Sequence, residues 1–485
     1  MPRLSFRAAA VALGLTLAAA PAALAQTTTP AVPRPALAAT PRFAMAPVQT
    51  LALSNGLPVL LVEKHGVPIV QVNLVVKAGS VDDPAGKTGL AAFATQLMDE
   101  GAGTRSALEL ADAIDFLGID LSPAVGLHAA SVNLHTPVSK LADALDLMAD
   151  VALRPAFPAE EIERLRGQTV VGLEQRRDQP NAIASVVFNR TLFGEAHPYG
   201  RTATPATLGA ITRDDLVGFV RAHVQPGQSA LVVVGDVTAA TMLPMLEARF
   251  GQAAWPANAG TPSARVAEAR QVGGRTITFV DKPGAAQSAI RIGRIGAARS
   301  TPDYYALQVL NAILGGSFTS RLNQNLRETH GYAYGAGSSF ALRPTAGPFL
   351  ASSNVQTQST APALTEFIAE LTGIRTIPQE EVDKGKNFVA LSFPESFQSV
   401  SGTANMVEEL WTNGLPLDTY TAYTDRVMAV TRADLERVAR TYVDPARIAI
   451  VVVGDRASQE AAVRALRLGP VQSLTVTDVF GPAAR

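Results

Sequence analysis

The 485-residue chain is 47% apolar and carries 41 basic against 42 acidic side chains, so its overall charge favours neither nucleic acid nor an anionic surface. It has no cysteine, which excludes disulfides, thiolate nucleophiles and cysteine-based metal sites. That length exceeds one ordinary core and implies at least two domains.

The N-terminus reads as an export signal over residues 1–25. Arg3 and Arg7 form a basic start, Ala8 to Ala20 an apolar stretch, and Ala23-Leu24-Ala25 a small-residue cleavage site before Gln26. The apolar stretch is short for a bilayer and ends at Pro21. No later segment reaches the roughly 18 uninterrupted apolar residues of a membrane helix, so no membrane span is expected after cleavage. The short charged start suits bacterial export, hence a periplasmic protein. Residues 26–47 are rich in Pro, Ala and Thr and read as an extended leader.

From residue 48 the pattern becomes globular. Leu57 to Val62 and Ile69 to Ala78 read as a strand pair, followed by a helix over Thr88 to Glu100 in which Leu90, Phe93, Leu97 and Met98 form an apolar stripe. An alternating segment, His128 to Thr136, predicts a strand, and Ala159 to Gln175 a helix. The segment from Ile211, ITRDDLVGFVRAHVQPGQSALVVVGDV, then returns without a gap at Val430 as VTRADLERVARTYVDPARIAIVVVGDR. Each copy reads as a Thr-capped amphipathic helix, a proline break and a buried strand ending in Gly-Asp. The second half opens in the same way as the first, with strands at Arg275 to Val280 and Ser288 to Ile295 and a helix at Pro302 to Leu314. A Pro- and Gly-containing stretch, 254–274, is the expected linker between domains at 48–253 and 275–485. The fold class is α+β, with two homologous halves of about 210 residues each.

No G-x-S-x-G elbow, phosphate-binding loop or glycine-rich dinucleotide turn is present. The six histidines, His65, His128, His135, His197, His223 and His330, include no pair three or four residues apart, and the seven-residue step from His128 to His135 would put those two on opposite faces of a strand. Acidic runs such as Glu160-Glu161-Glu163 and Asp99-Glu100 have the pattern of solvated helix faces and ends.

The strand pair, the helix opening with Gly-Leu-Ala and the closing V-V-G-D strands, together with NGLPVLLVEKHGVPIVQVNLVVKAGSVDDP (55–84), HPYGR (197–201) and SRLNQNLRETHGYAYG (320–335), resemble the insulinase/pitrilysin family of zinc peptidases over nearly the whole mature chain. The resemblance implies two α/β-sandwich halves facing each other as a clamshell. Active members carry H-x-x-E-H on the first helix, two His ligands one turn apart with a catalytic Glu between them. Here the ligand positions hold Ala92 and Gln96 and the base position Thr95. Glu174 stands near the place of the third family ligand, and one carboxylate beside Ala and Gln cannot hold zinc against water. The resemblance also places Arg327 and Tyr334 where the family's second half supplies an Arg and a Tyr toward a peptide carbonyl.

These implications combine into an expected metal-free subunit of a two-chain peptidase. It would have no zinc or other cofactor of its own, and its partner would be a homologous H-x-x-E-H-bearing subunit that carries the zinc. Arg327 and Tyr334 would bind the peptide substrate. The competing expectation is an inactive scaffold or peptide-binding protein of the same fold.

Overall fold

The computed structural model describes residues 43–482. The expected signal segment, 1–25, and most of the expected leader lie outside the described residues. Of the leader, Phe43 packs on Phe393 and Phe397, with ring centroids 5.5 and 4.7 Å away, so its last residues are fastened to the second half of the chain.

The strands are β1 (Gln49–Ala52), β2 (Pro58–Glu63), β3 (Ile69–Val76), β4 (Asp120–Val125), β5 (Ala130–Pro137), β6 (Ser229–Gly235), β7 (Thr276–Asp281), β8 (Gln287–Ile295), β9 (Ala333–Phe340), β10 (Pro348–Gln356), β11 (Ala449–Gly454) and β12 (Val471–Thr475). They form two six-stranded sheets, ordered β1-β2-β6-β3-β5-β4 and β12-β7-β11-β8-β10-β9. The repeat seen in the sequence is thus a repeat of structure. In each half, β2 or β7 runs parallel to the Val-rich strand β6 or β11, which is antiparallel to β3 or β8. Thr212 and Thr431 each cap their helix by accepting a hydrogen bond from the backbone N–H three residues on, and Asp215 and Asp434 reach back to complete the capping box.

The copies differ at one edge. In the first half the outer strand β1 precedes β2 and pairs antiparallel with it, whereas in the second the outer strand β12 follows β11 and pairs parallel with β7. Opposite ends of the chain therefore finish equivalent sheets.

Strand alternation gives each sheet two apolar faces. Val70, Val72, Leu74, Leu231 and Val233 pack on helices of their own half, while Leu60, Val62, Val75, Val232 and Val234 meet Val400, Ala404 and Val407 of the Val400–Thr412 helix from the other half. The arrangement is reciprocal. The Pro180–Phe193 helix places Ile183, Ala184, Val187 and Phe188 against Val280, Ala289, Val451 and Val453 of the second sheet. The two α/β halves thus face each other, each lending one helix to the other's sheet.

Residues 254–275 contain no helix or strand, yet they are tied down. Trp255 is buried, Ser263 Oγ and the Ala264 N–H donate to Asp82, and the Ala267 carbonyl meets His197 Nε2 at 2.9 Å. His128, expected on a strand, lies in the turn before β5, where its Nε2 is 2.6 Å from the Tyr199 hydroxyl. His197 serves packing: it stacks on Phe193 and its Nδ1 accepts from the Tyr199 N–H.

Candidate functional site

The helix of the degenerate zinc motif spans Leu90–Gln96, shorter than the sequence pattern predicts. It starts after Gly89, whose φ of 104° only glycine adopts without strain, and it ends where Leu97 takes the C-cap. Its N-terminus is fixed by Asp83, whose carboxylate accepts from the N–H groups of Gly89 and Ala91 at 2.7 and 2.8 Å. Burial nevertheless pushes the Asp83 carboxyl above its ordinary range.

On this helix Ala92 and Gln96 share the exposed face, as residues four apart must, while Thr95 is 3% exposed among apolar neighbours. Glu174 sits on the Ala159–Arg176 helix, with its Oε2 3.4 Å from Arg177 Nε. A methyl group, a primary amide and a buried hydroxyl offer none of the imidazole or carboxylate donors that zinc takes, and the remaining carboxylate is paired with a guanidinium. The donor set does not fit the metal. Among the described residues no group of three or more His, Cys, Asp or Glu side chains could hold a metal ion.

One group on the same segment departs from the sequence reading. Asp99 is not simply solvated: burial, and then the neighbouring Glu100, push its carboxyl from 3.8 up to about 6. The folded chain therefore holds this proton more tightly than the unfolded chain does, and ionisation costs stability. That cost is absent below about pH 4, grows as pH rises and is complete above about pH 6. Asp99→Asn, which cannot ionise, should match wild type at pH 4 and exceed it at pH 7.5 by about 1–2 kcal/mol once solvent screening is allowed for. Thermal unfolding at the two pH values measures this, and an equal difference at both would exclude the titration as its cause.

Arg327 and Tyr334 belong to the second half, and both lie on backbone irregularities. Arg327 is within a π-helical segment, Gln324–Thr329, where the His330 N–H reaches back five residues to the Asn325 carbonyl at 3.1 Å. Its guanidinium lies 4.6 Å over the Phe318 ring, and its Nε is 3.5 Å from Glu328. Phe318 is itself 64% exposed.

Tyr334 is 91% exposed and sits at a β-bulge, for Ser353 pairs with Ala336 and Val355 with Ala333, leaving Tyr334 and Gly335 opposite the single residue Asn354. Such an extra residue bends a strand and re-aims a side chain. The bulge is pinned from both sides: Asn323 Oδ1 accepts from the Ala336 N–H, and Ser353 Oγ donates to the Gly335 carbonyl at 2.7 Å. The Arg327 guanidinium and the Phe318 ring thus lie together after the Gly315-Gly316 turn, and the Tyr334 phenol is exposed on β9. Among the described residues, no hydrogen bond, ion pair or ring contact joins Arg327 or Tyr334 to the Leu90–Gln96 helix. Both irregularities escape periodicity analysis, and the motif around them was the only signal for these two residues.

Comparison with known proteins agrees with this architecture. The family profile described as insulinase (peptidase family M16) matches residues 58–198, and that described as the peptidase M16 inactive domain matches 210–389. An uncharacterized zinc protease of Mycobacterium leprae is 31% identical over 297 residues, covering 61% of this chain and 66% of the relative. One from Mycobacterium bovis is 30% identical over 312 residues, covering 64% and 70% respectively. Among solved structures, a peptidase M16 inactive domain from Pseudomonas fluorescens matches with a TM-score of 0.78 at 24% identity, over 84% of this chain and 98% of its own. A protease from Helicobacter pylori matches with the same TM-score at 22% identity, over 84% and 100%. These two likenesses bear on the fold alone. A duplicated α/β architecture, both family profiles in chain order and this level of identity together place the chain in the insulinase family of peptidases, family M16.

Proposed function

We propose that this chain is the metal-free subunit of an exported two-chain zinc peptidase, acting in the periplasm beside a homologous partner that carries H-x-x-E-H and the zinc. The observation that carries the reading is the pairing of an emptied donor set at Ala92, Thr95, Gln96 and Glu174 with an outward-facing Arg327 and Tyr334 held by a π-helical turn and a bulge. Irregular backbone of this kind is retained at functional sites. Their exposure leaves the donors open to a substrate shared with a second chain. A guanidinium fork and a phenol are suited to a peptide carbonyl, and both bonds strengthen as negative charge develops on that oxygen.

The test is reconstitution. Peptide hydrolysis should appear when the purified chain is mixed with an exported H-x-x-E-H homologue encoded beside it, at a rate above the sum of the separate chains. A partner equally active alone sinks the reading. A partner that needs this chain for assembly, yet is indifferent to Arg327 and Tyr334, would instead establish the scaffold role.

A further inference from the structure

A single cavity of about 470 Å³ opens in the first half, between the end of the Leu141–Leu153 helix, the Arg213–His223 helix and residues 255–258. Its apolar walls include Leu153, Phe157, Val220, Val224 and Trp255, with Val217, 37% exposed, beside them. These walls are preformed. Phe157 is 1% exposed and takes a φ of 49°, a conformation that strains a bulky residue. Arg213 holds it there, donating from Nε to the Phe157 carbonyl at 3.0 Å and from Nη2 to the Ala156 carbonyl at 2.9 Å. Trp255 is fixed through its own carbonyl, which accepts from Asn55 Nδ2 at 2.7 Å.

The remaining polar side chains of the same walls are Arg154, Arg221, Gln225 and Asn258, and no carboxylate is among them. Asp150 answers the charge of Arg154 and of Arg105. Arg221 has no such partner: among the described residues its guanidinium meets neither a carboxylate nor a hydrogen-bond acceptor. The Trp255 indole N–H also lacks an acceptor, and although the residue is only 7% exposed, this N–H is not one of the atoms sealed from solvent. Gln225 Nε2 is engaged with the Arg221 carbonyl, while Asn258 spends its Oδ1 on the Gly260 N–H and keeps its amide donors.

An apolar chamber with one unmatched cation, spare N–H donors and no acid has the composition of a ligand site with a narrow chemical preference. A cationic ligand would meet like charge with nothing to offset it, and a neutral hydrocarbon would leave Arg221 unanswered. We infer that this cavity binds an amphipathic monocarboxylate, with its hydrocarbon against Phe157, Val224 and Trp255 and its carboxylate on Arg221. The site draws on no residue of the second half and on none of the zinc-motif positions, so it stands independently of the peptidase reading.

Trp255 reports on the site, and Trp411, the only other tryptophan, belongs to the second half. The full chain is titrated with octanoate, octan-1-ol, N-acetyl-L-leucine, acetate and sodium chloride at matched ionic strength, following fluorescence and the heat of binding. Octanoate should bind saturably, octan-1-ol about 10-fold more weakly, and acetate no better than chloride. N-acetyl-L-leucine separates two sources of the same chemistry: tighter binding than octanoate assigns the C-terminal residue of a peptide, and weaker binding a free fatty acid. Arg221→Met keeps the aliphatic stem and should weaken octanoate by about 10-fold, the scale of a lost charge-assisted hydrogen bond, with octan-1-ol unaffected. Val217→Glu guards against a folding artefact. It lies one helical turn before Arg221 and gives that cation a carboxylate of its own, so the free chain keeps its Tm while octanoate affinity falls. Octanoate binding no better than acetate, octan-1-ol binding as tightly as octanoate, or wild-type octanoate affinity in either variant would overturn the inference.

Discussion

On the proposed two-chain reading, Arg327→Ala should lower kcat of the reconstituted complex by about 100-fold, the scale set by removal of one preorganised donor from a developing oxyanion, and leave assembly intact. Among the described residues the side chain meets the Phe318 face and approaches Glu328 at 3.5 Å, which leaves its guanidinium fork donors to spare. Truncation at such a site changes folding stability by less than about 0.5 kcal/mol. Arg327→Lys recovers only part of the rate, since an ammonium keeps the charge and loses the planar fork. Tyr334→Phe keeps the ring and removes the donor, and should cost about 10-fold by the same reasoning. Peptide cleavage by reconstituted complexes, with subunit association measured in parallel, separates the outcomes. A normal rate with either variant would exclude substrate contact, and lost association would move both residues to the interface.

Much of this arrangement is legible in the sequence because it is local. The runs Leu231-Val232-Val233-Val234 and Ile450-Val451-Val452-Val453, rich in β-branched residues, read as buried strands, and Thr212 and Thr431 announce their helices through the capping box. The assignment of Ala92, Thr95 and Gln96 to the zinc-motif positions rests on the family resemblance alone. What the sequence hides is non-local or one residue long. Nothing in Gln49–Ala52 or Val471–Thr475 says that one outer strand pairs antiparallel before its neighbour and the other parallel after it. The bulge at Tyr334 and the π-helical turn at Arg327 each depart from regular geometry by about one residue, too little to disturb a periodic pattern.

The exchange of helices between halves is the largest feature invisible to the sequence, and it has a measurable consequence. Phe188 lies on the Pro180–Phe193 helix, 2% exposed, against the second sheet. Gly293 on β8 lies beneath this ring: a Cβ there would meet the Phe349 carbonyl at 2.0 Å first and the Phe188 ring at 2.9 Å. Phe188→Ala should therefore cost about 3–5 kcal/mol, the range for an aromatic ring removed from a packed core, because the sheet backbone cannot move in to fill the space. By contrast, Phe116→Ala, at an 85% exposed ring, should change stability by no more than about 0.5 kcal/mol. Calorimetry reads more than the loss. Each half completes the other's core, so the wild-type chain should unfold in one transition, and Phe188→Ala should weaken that coupling and broaden or split it. A wild-type scan already resolved into two independent transitions would show that the reciprocal helices do not bind the halves into one cooperative unit.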